Sequence, residues 1–95
     1  MVTKEDVLNA LKTVADPHMG ISIVDMGLIR DVEVDDEGNV KFKLIPTNPY
    51  CMSVMAMAFQ AKEAVKSLEG VKKVEVIVEG HVMEKDINEM LKDKK

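Results

Sequence analysis

Val40-Lys41-Phe42-Lys43-Leu44-Ile45-Pro46-Thr47-Asn48-Pro49-Tyr50-Cys51-Met52-Ser53-Val54-Met55-Ala56-Met57-Ala58-Phe59 is the stretch whose reading decides the fold. Its first part alternates. Val40, Phe42 and Leu44 fall on one side and Lys41 and Lys43 on the other, the period of a strand with one covered face and one wet face. Its second part does not alternate and is apolar nearly all round, which predicts a buried helix. Between them lies Asn48-Pro49. Asn48 suits an N-cap, and Pro49 suits the first helical position, where a missing N–H is harmless. A helix is therefore expected over residues 51–68, with Gly70 as its C-terminal stop. Cys51 then falls in the first turn, where unpaired amides and the positive end of the helix dipole favour a thiolate.

Upstream, residues 28–35 predict a strand in which Asp31, Glu33 and Asp35 alternate with Val32 and Val34. Asp35-Asp36-Glu37-Gly38-Asn39 is a turn signal, with Gly38 available for positive φ. Acids on one strand and lysines on the next predict a hairpin whose wet face pairs opposite charges. Downstream, Val74, Val76 and Val78 alternate with Glu75 and Glu79. A helix links this third strand to the second, so the two should run parallel. Thr3 and Asp6 resemble a capping box for a first helix, whose apolar face is Val7, Leu8, Leu11 and Val14 and which Asp16-Pro17 ends. Residues 19–27 read as a loop, residues 83–91 as a short last helix, and Asp93-Lys94-Lys95 as a fraying end. The second half of the long helix should turn Lys62, Glu63, Lys66 and Ser67 to water.

The expected fold class is α+β: a two-layer α-β-β-α-β-α sandwich. Its three-stranded mixed sheet is an antiparallel hairpin plus a parallel third strand, with the helices on one face. Ninety-five residues fit a single domain, with residues 1–79 as its body and 80–95 as a helical tail.

Composition narrows the function classes. The net charge is −4, from 13 basic and 17 acidic residues that are interspersed rather than blocked. No basic face and little aromatic surface are present, which argues against nucleic acid as a partner. No run approaches the roughly 20 apolar residues of a membrane span, and Met1-Val2-Thr3-Lys4-Glu5-Asp6 has no apolar leader core. A single cysteine forms no internal disulfide, so a reducing cytoplasmic setting is expected. Eight methionines stand against one Tyr, two Phe and no Trp, so most Met should fill the core. Met52, Met55 and Phe59 share one face of the expected helix. Met57 points elsewhere, and this extra apolar side suggests a homodimer or partner surface.

Three segments carry a resemblance. Asp16-Pro17-His18-Met19-Gly20-Ile21-Ser22-Ile23-Val24-Asp25-Met26-Gly27-Leu28-Ile29 is similar to the signature of the metal–sulfur cluster assembly factor family, SufT-like or PaaD-like, which begins Asp-Pro-Glu and continues Ser-Ile-Val-Asp-Leu-Gly-Leu-Ile. Thr47-Asn48-Pro49-Tyr50-Cys51-Met52 resembles its second motif, Thr-Thr/Ser-Pro-x-Cys-Pro. Leu68-Glu69-Gly70-Val71 through Val78 resembles its third, Leu-x-Gly-Val-x-x-Val-x-Val. The resemblance implies a small α/β domain in iron–sulfur protein maturation, acting as carrier or adaptor rather than as an enzyme. It implies partners among iron–sulfur client or scaffold proteins and P-loop cluster-carrier ATPases. It also implies a shallow pocket formed by Asp16, Thr47 and Cys51, with His18, Met19 and Asn48 at further positions. His18 stands where Glu is usual, Asn48 where Thr or Ser is usual, and Met52 where Pro is usual. The segment from Gly80 to Asp86 lacks the Pro/Trp-rich tail of many members.

Cys51 is the expected sulfur ligand, and His18 is a further candidate ligand, since imidazole suits iron or zinc. One thiolate holds no cluster alone, because iron–sulfur clusters take four ligands, mostly thiolates. No stable cofactor is therefore expected on a monomer, only transient iron or cluster. Asp25 should shape the loop before Gly27, and His81 matches no signature and reads as a surface or capping residue. Two rivals stay open at this point: an interaction module that makes no use of the thiol, and a thiol-dependent enzyme. For the latter the sequence offers His18 as a base but no resolving cysteine and no complete nucleophile–base–orienter set.

Overall fold

The computed structural model describes residues 2–92, so the fraying expected of residues 93–95 lies outside the described residues. The order is α1 (Lys4–Leu11), β1 (Ile29–Val34), β2 (Asn39–Leu44), α2 (Val54–Lys66), β3 (Lys73–Val78) and α3 (Glu84–Leu91). The strands form one sheet in the order β1-β2-β3. β1 and β2 pair antiparallel, and β2 and β3 pair parallel with Val40 beside Val74 and Leu44 beside Val78. This is the mixed α+β architecture that the alternation and the helical crossover imply.

The core follows the strand period. Val40, Phe42 and Leu44 of β2 are buried, as are Val74, Val76 and Val78 of β3. The helices cover them with Val7 and Leu11 of α1, Val54, Met57, Ala58, Ala61 and Val65 of α2, and Ile87 and Leu91 of α3. On the wet face, Lys43 joins the sheet's two outer strands. Its Nζ lies 3.3 Å from Asp31 and 3.2 Å from Glu79. These carboxylates, Glu79 foremost, hold the Lys43 ammonium above its ordinary pKa.

Four expectations need correction. α1 ends at Leu11 with Lys12 as C-cap, well short of Asp16-Pro17. Val14 and Ala15 leave helical pairing because they bond to the returning chain: Ile23 N–H donates to the Val14 carbonyl at 2.9 Å, and Ala15 bridges Ser22. The Thr3–Asp6 capping box at the other end of α1 is present in both directions, at 3.1 and 3.0 Å. β1 carries a bulge between Arg30 and Glu33, where Asp31 takes a φ of 53°. Asp is one of the few side chains that tolerate this region.

Lys62 is buried rather than exposed. Its Nζ donates to the Leu91 carbonyl at 2.6 Å, a cation at the negative end of α3. The apolar stem crosses the core while the amine reaches a polar group, so spacing alone misplaced it. Met57 is likewise only 1% exposed, whereas Met52 is 91% and Phe59 39% exposed. The exposed apolar residues are thus Phe59 on the helix and Met52 in the loop before it, while Met57 faces the core.

The hairpin turn depends on close backbone approach. Gly38 has φ 89°, and a Cβ there would collide with the Gly70 carbonyl oxygen. The Lys72 amide donates to the Gly38 carbonyl at 2.8 Å, which fixes the start of β3. Asp35 accepts from Glu37 and Asn39 amides and from the Asn39 side chain, each at 2.9 Å. The Asn39 side chain foremost holds this carboxyl below the ordinary carboxylate range. Gly20 also has positive φ, 69°, but has open space around it. Replacing Gly38 by Ala should therefore lower stability by more than about 2 kcal/mol, and replacing Gly20 by about 1 kcal/mol. Urea unfolding of the two variants checks this, and equal losses would contradict it.

Candidate functional site

Three loops gather where β2 and β3 end. They are residues 12–28 between α1 and β1, residues 45–53 between β2 and α2, and residues 79–83 between β3 and α3. Open sheets place binding sites outside the carboxyl ends of parallel strands. The first and second loops meet through the Ile45 amide, which donates to the Leu28 carbonyl at 2.8 Å. The second and third meet through the Val82 amide, which donates to the Pro49 carbonyl at 2.9 Å. Two surface grooves lie elsewhere. One, of about 480 Å³, runs along β3 and α3 and includes Asn88 and Leu91. The other, of about 400 Å³, lies over the hairpin-turn end of the strands.

Cys51 sits in the second loop, not in α2. The Asn48-Pro49 signal acts locally: the Asn48 side-chain oxygen accepts from the Tyr50 amide at 2.8 Å, and the Cys51 amide donates to the Asn48 carbonyl at 3.0 Å. This is a single capped turn that does not continue. The helix starts afresh at Val54, and its N-cap, Ser53, makes no capping bond. The Ser53 hydroxyl instead lies 3.3 Å from Cys51 Sγ.

The reason for the break is tertiary. In a continuous helix the Pro49 carbonyl would accept from residue 53 and the Cys51 carbonyl from residue 55. Val82 takes the first, and His81 Nε2, at 2.8 Å, takes the second. The thiol is half-buried against the core, with Tyr50, Met52, Val82 and Met83 exposed on neighbouring positions.

His81, read from the sequence as a surface or capping residue, is buried and makes a cap-like bond before α3 together with a contact that the sequence did not announce. It is only 7% exposed. Its Nδ1 accepts from the Met83 amide at 3.0 Å. The ring proton is thereby placed on Nε2, which donates to the Cys51 carbonyl. Thirty positions separate the two residues, so no local pattern announces the contact. The one local sign is a Gly-His pair just before a helix start.

The other expected site residues fall as follows. Asp16 is buried, and its carboxylate accepts from the amides of His18 at 2.7 Å and Met19 at 3.4 Å. It shapes its own loop, as an Asx residue before Pro does. His18, Met19, Thr47 and Asn48 are exposed. Asp25 is exposed too, in the turn before Gly27. Among the described residues, no group of three or more His, Cys, Asp or Glu is arranged to hold a metal ion. No helix among them is long and apolar enough to cross a membrane.

The sequence profile of the iron–sulfur cluster assembly protein family matches residues 4–78. The chain belongs to this family. An uncharacterized protein of Methanocaldococcus jannaschii is 98% identical over 99% of each chain. The Fe-S protein maturation auxiliary factor of Bacillus subtilis is 34% identical, over 77% of this chain and 72% of that one. The iron-sulfur cluster carrier protein of Synechocystis is 41% identical over 82% of this chain, which spans only 22% of that longer protein. Among solved structures, a conserved hypothetical protein of Thermotoga maritima superposes with a TM-score of 0.70 at 40% identity, covering 88% of this chain and 84% of that one. Family membership agrees with the motif reading. His81 lies outside the matched segment.

Asn48 and Ser53, the two cap-type residues of this loop, should behave unequally. Asn48→Ala removes a cap in use and should lower stability by about 1 kcal/mol. Ser53→Ala removes no capping bond and should stay within about 0.5 kcal/mol of the parent. Thermal unfolding of both checks the assignment. The reverse order would mean that Ser53 is the working cap.

Proposed function

We propose that this protein is a non-catalytic iron–sulfur cluster assembly factor that carries a cluster or its components, or presents them to a client, with Cys51 as its sulfur ligand. The cluster is cargo in this reading. What carries the proposal is the position of the only cysteine: a half-exposed thiol just before α2, at the meeting of three loops, in a chain of the iron–sulfur assembly family. Relatives named as a cluster carrier and as a maturation auxiliary factor support the same role.

One thiolate supplies one of the four ligands a cluster needs, so the remaining ligands come from a second chain or a small thiol. In this reading Asp16 and Thr47 shape the pocket together with Met19 and Asn48, and His18 assists as a ligand or hydrogen-bond partner. Partners are iron–sulfur client or scaffold proteins and P-loop cluster-carrier ATPases, in the cytoplasm.

Anaerobic transfer of cluster to an apo-acceptor tests the thiol. Cys51→Ser should abolish transfer that the parent protein supports, and transfer at the parent rate would sink the thiol role. The exposed Met52 favours one rival, a recruiting module independent of the thiol. In that case Met52→Asp would abolish client capture while Cys51→Ala left it intact.

A further inference from the structure

We propose that His81 is a positioning residue for Cys51, holding the cysteine out of the helix that its own sequence would otherwise form. This deepens the reading of Cys51 as the sulfur ligand and depends on that reading only for its consequence in cluster handling.

Two features compete at residues 48–55. Locally, Asn48 and Pro49 form a capped turn that could run on into α2. The continuation requires the carbonyls of Pro49 and Cys51 as acceptors for amides four residues later. Both carbonyls are occupied from the far side of β3. Val82 donates its backbone N–H to Pro49, and any residue but proline at position 82 could do the same. The donor to Cys51 is a side chain, His81 Nε2, and that bond is specific to this residue.

The imidazole also accepts from the Met83 amide, at the residue preceding α3. One ring therefore clamps the cysteine loop to the start of α3. Its burial excludes water from competing for the Cys51 carbonyl. Without the Nε2 proton, nothing draws the Cys51 carbonyl toward residue 81, and it can turn along the helix axis to the Met55 amide. α2 can then extend backwards, and Cys51 becomes a helical residue with its sulfur redirected. Residues 80–83, beyond the segment that the family profile matches, thus complete the cysteine site of this chain.

The two functions of the ring can be separated. Gln reaches about as far as Nε2 and keeps a donor for Cys51, whereas Asn places an acceptor about where Nδ1 lies and keeps only the Met83 bond. His81→Gln, His81→Asn and His81→Leu are compared in the full chain by two readouts. One is the rate of Cys51 alkylation by iodoacetamide, and the other is the backbone chemical shifts of residues 49–55. His81→Gln should resemble the parent. His81→Asn and His81→Leu should change the alkylation rate roughly fivefold, as one lost hydrogen bond implies, and shift residues 49–53 toward helix. Parent-like behaviour of His81→Asn with altered His81→Gln would reduce His81 to a cap of α3 and overturn the proposal, as would parent-like behaviour of all three.

Should the variants fail to fold, the unsubstituted protein still decides through its imidazole nitrogen resonances. A slowly exchanging proton on Nε2 with bare Nδ1 is expected, and the opposite tautomer overturns the proposal. Neither readout involves a cluster. A transfer-competent Cys51→Ser would therefore sink the functional reading while leaving this one separately tested.

Discussion

The structure turns on which donors claim two backbone carbonyls, those of Pro49 and Cys51. A helix needs its carbonyls aimed along the axis at amides four residues ahead, and it stops where tertiary donors draw them elsewhere. Here residues 81 and 82, delivered by the end of β3, take both. Because of that, α2 begins at Val54 and Cys51 remains in a loop. The sulfur then neighbours the Ser53 hydroxyl rather than pointing along a helix face. The site follows from the topology: a parallel β2–β3 pair ends both strands at the same edge of the sheet, so the chain leaving β3 must pass the chain leaving β2.

The framework that delivers these groups is a plain one. Alternating valines and Phe42 fill one side of the sheet, and three helices cover them. The helices are then tied to the sheet by a few polar contacts of long reach. Asn88 of α3 accepts from the Val78 amide at 2.7 Å and donates to its carbonyl at 3.0 Å. It thereby satisfies the outward backbone groups at the end of an edge strand. Lys62 of α2 holds the last turn of α3 through Leu91. These contacts fix α3 against β3 and α2, and α3 in turn fixes His81 and Val82 against the cysteine loop. Weakening α3 would therefore be felt at Cys51.

At the site end of the sheet, the single thiol is half-buried and lies close to exposed apolar residues. The apolar residues next to the thiol, Tyr50, Met52, Val82 and Met83, come from the second and third loops. The substitutions of the family pattern, at His18, Asn48 and Met52, all fall on exposed positions around the same end of the sheet.

The sequence by itself determined the sheet, its faces, the parallel crossover, the α1 capping box and the family. These depend on the two-residue period of strands, on a helix lying between two strands and on side chains three residues apart, all readable along the chain. It read Asn48-Pro49 as the start of the long helix, whereas the pair caps a single turn and α2 begins at Val54. Only the tertiary structure decided how far that turn would run, because its fate rests on donors about thirty residues away. The same is true of Lys62 and Met57. Helical spacing names the residues on a face, but which face meets the sheet depends on how α2 docks, and a long lysine stem can cross a core to reach a carbonyl. Asp31 at the bulge and His81 behind Cys51 likewise acquired their roles from partners that a linear reading does not bring together.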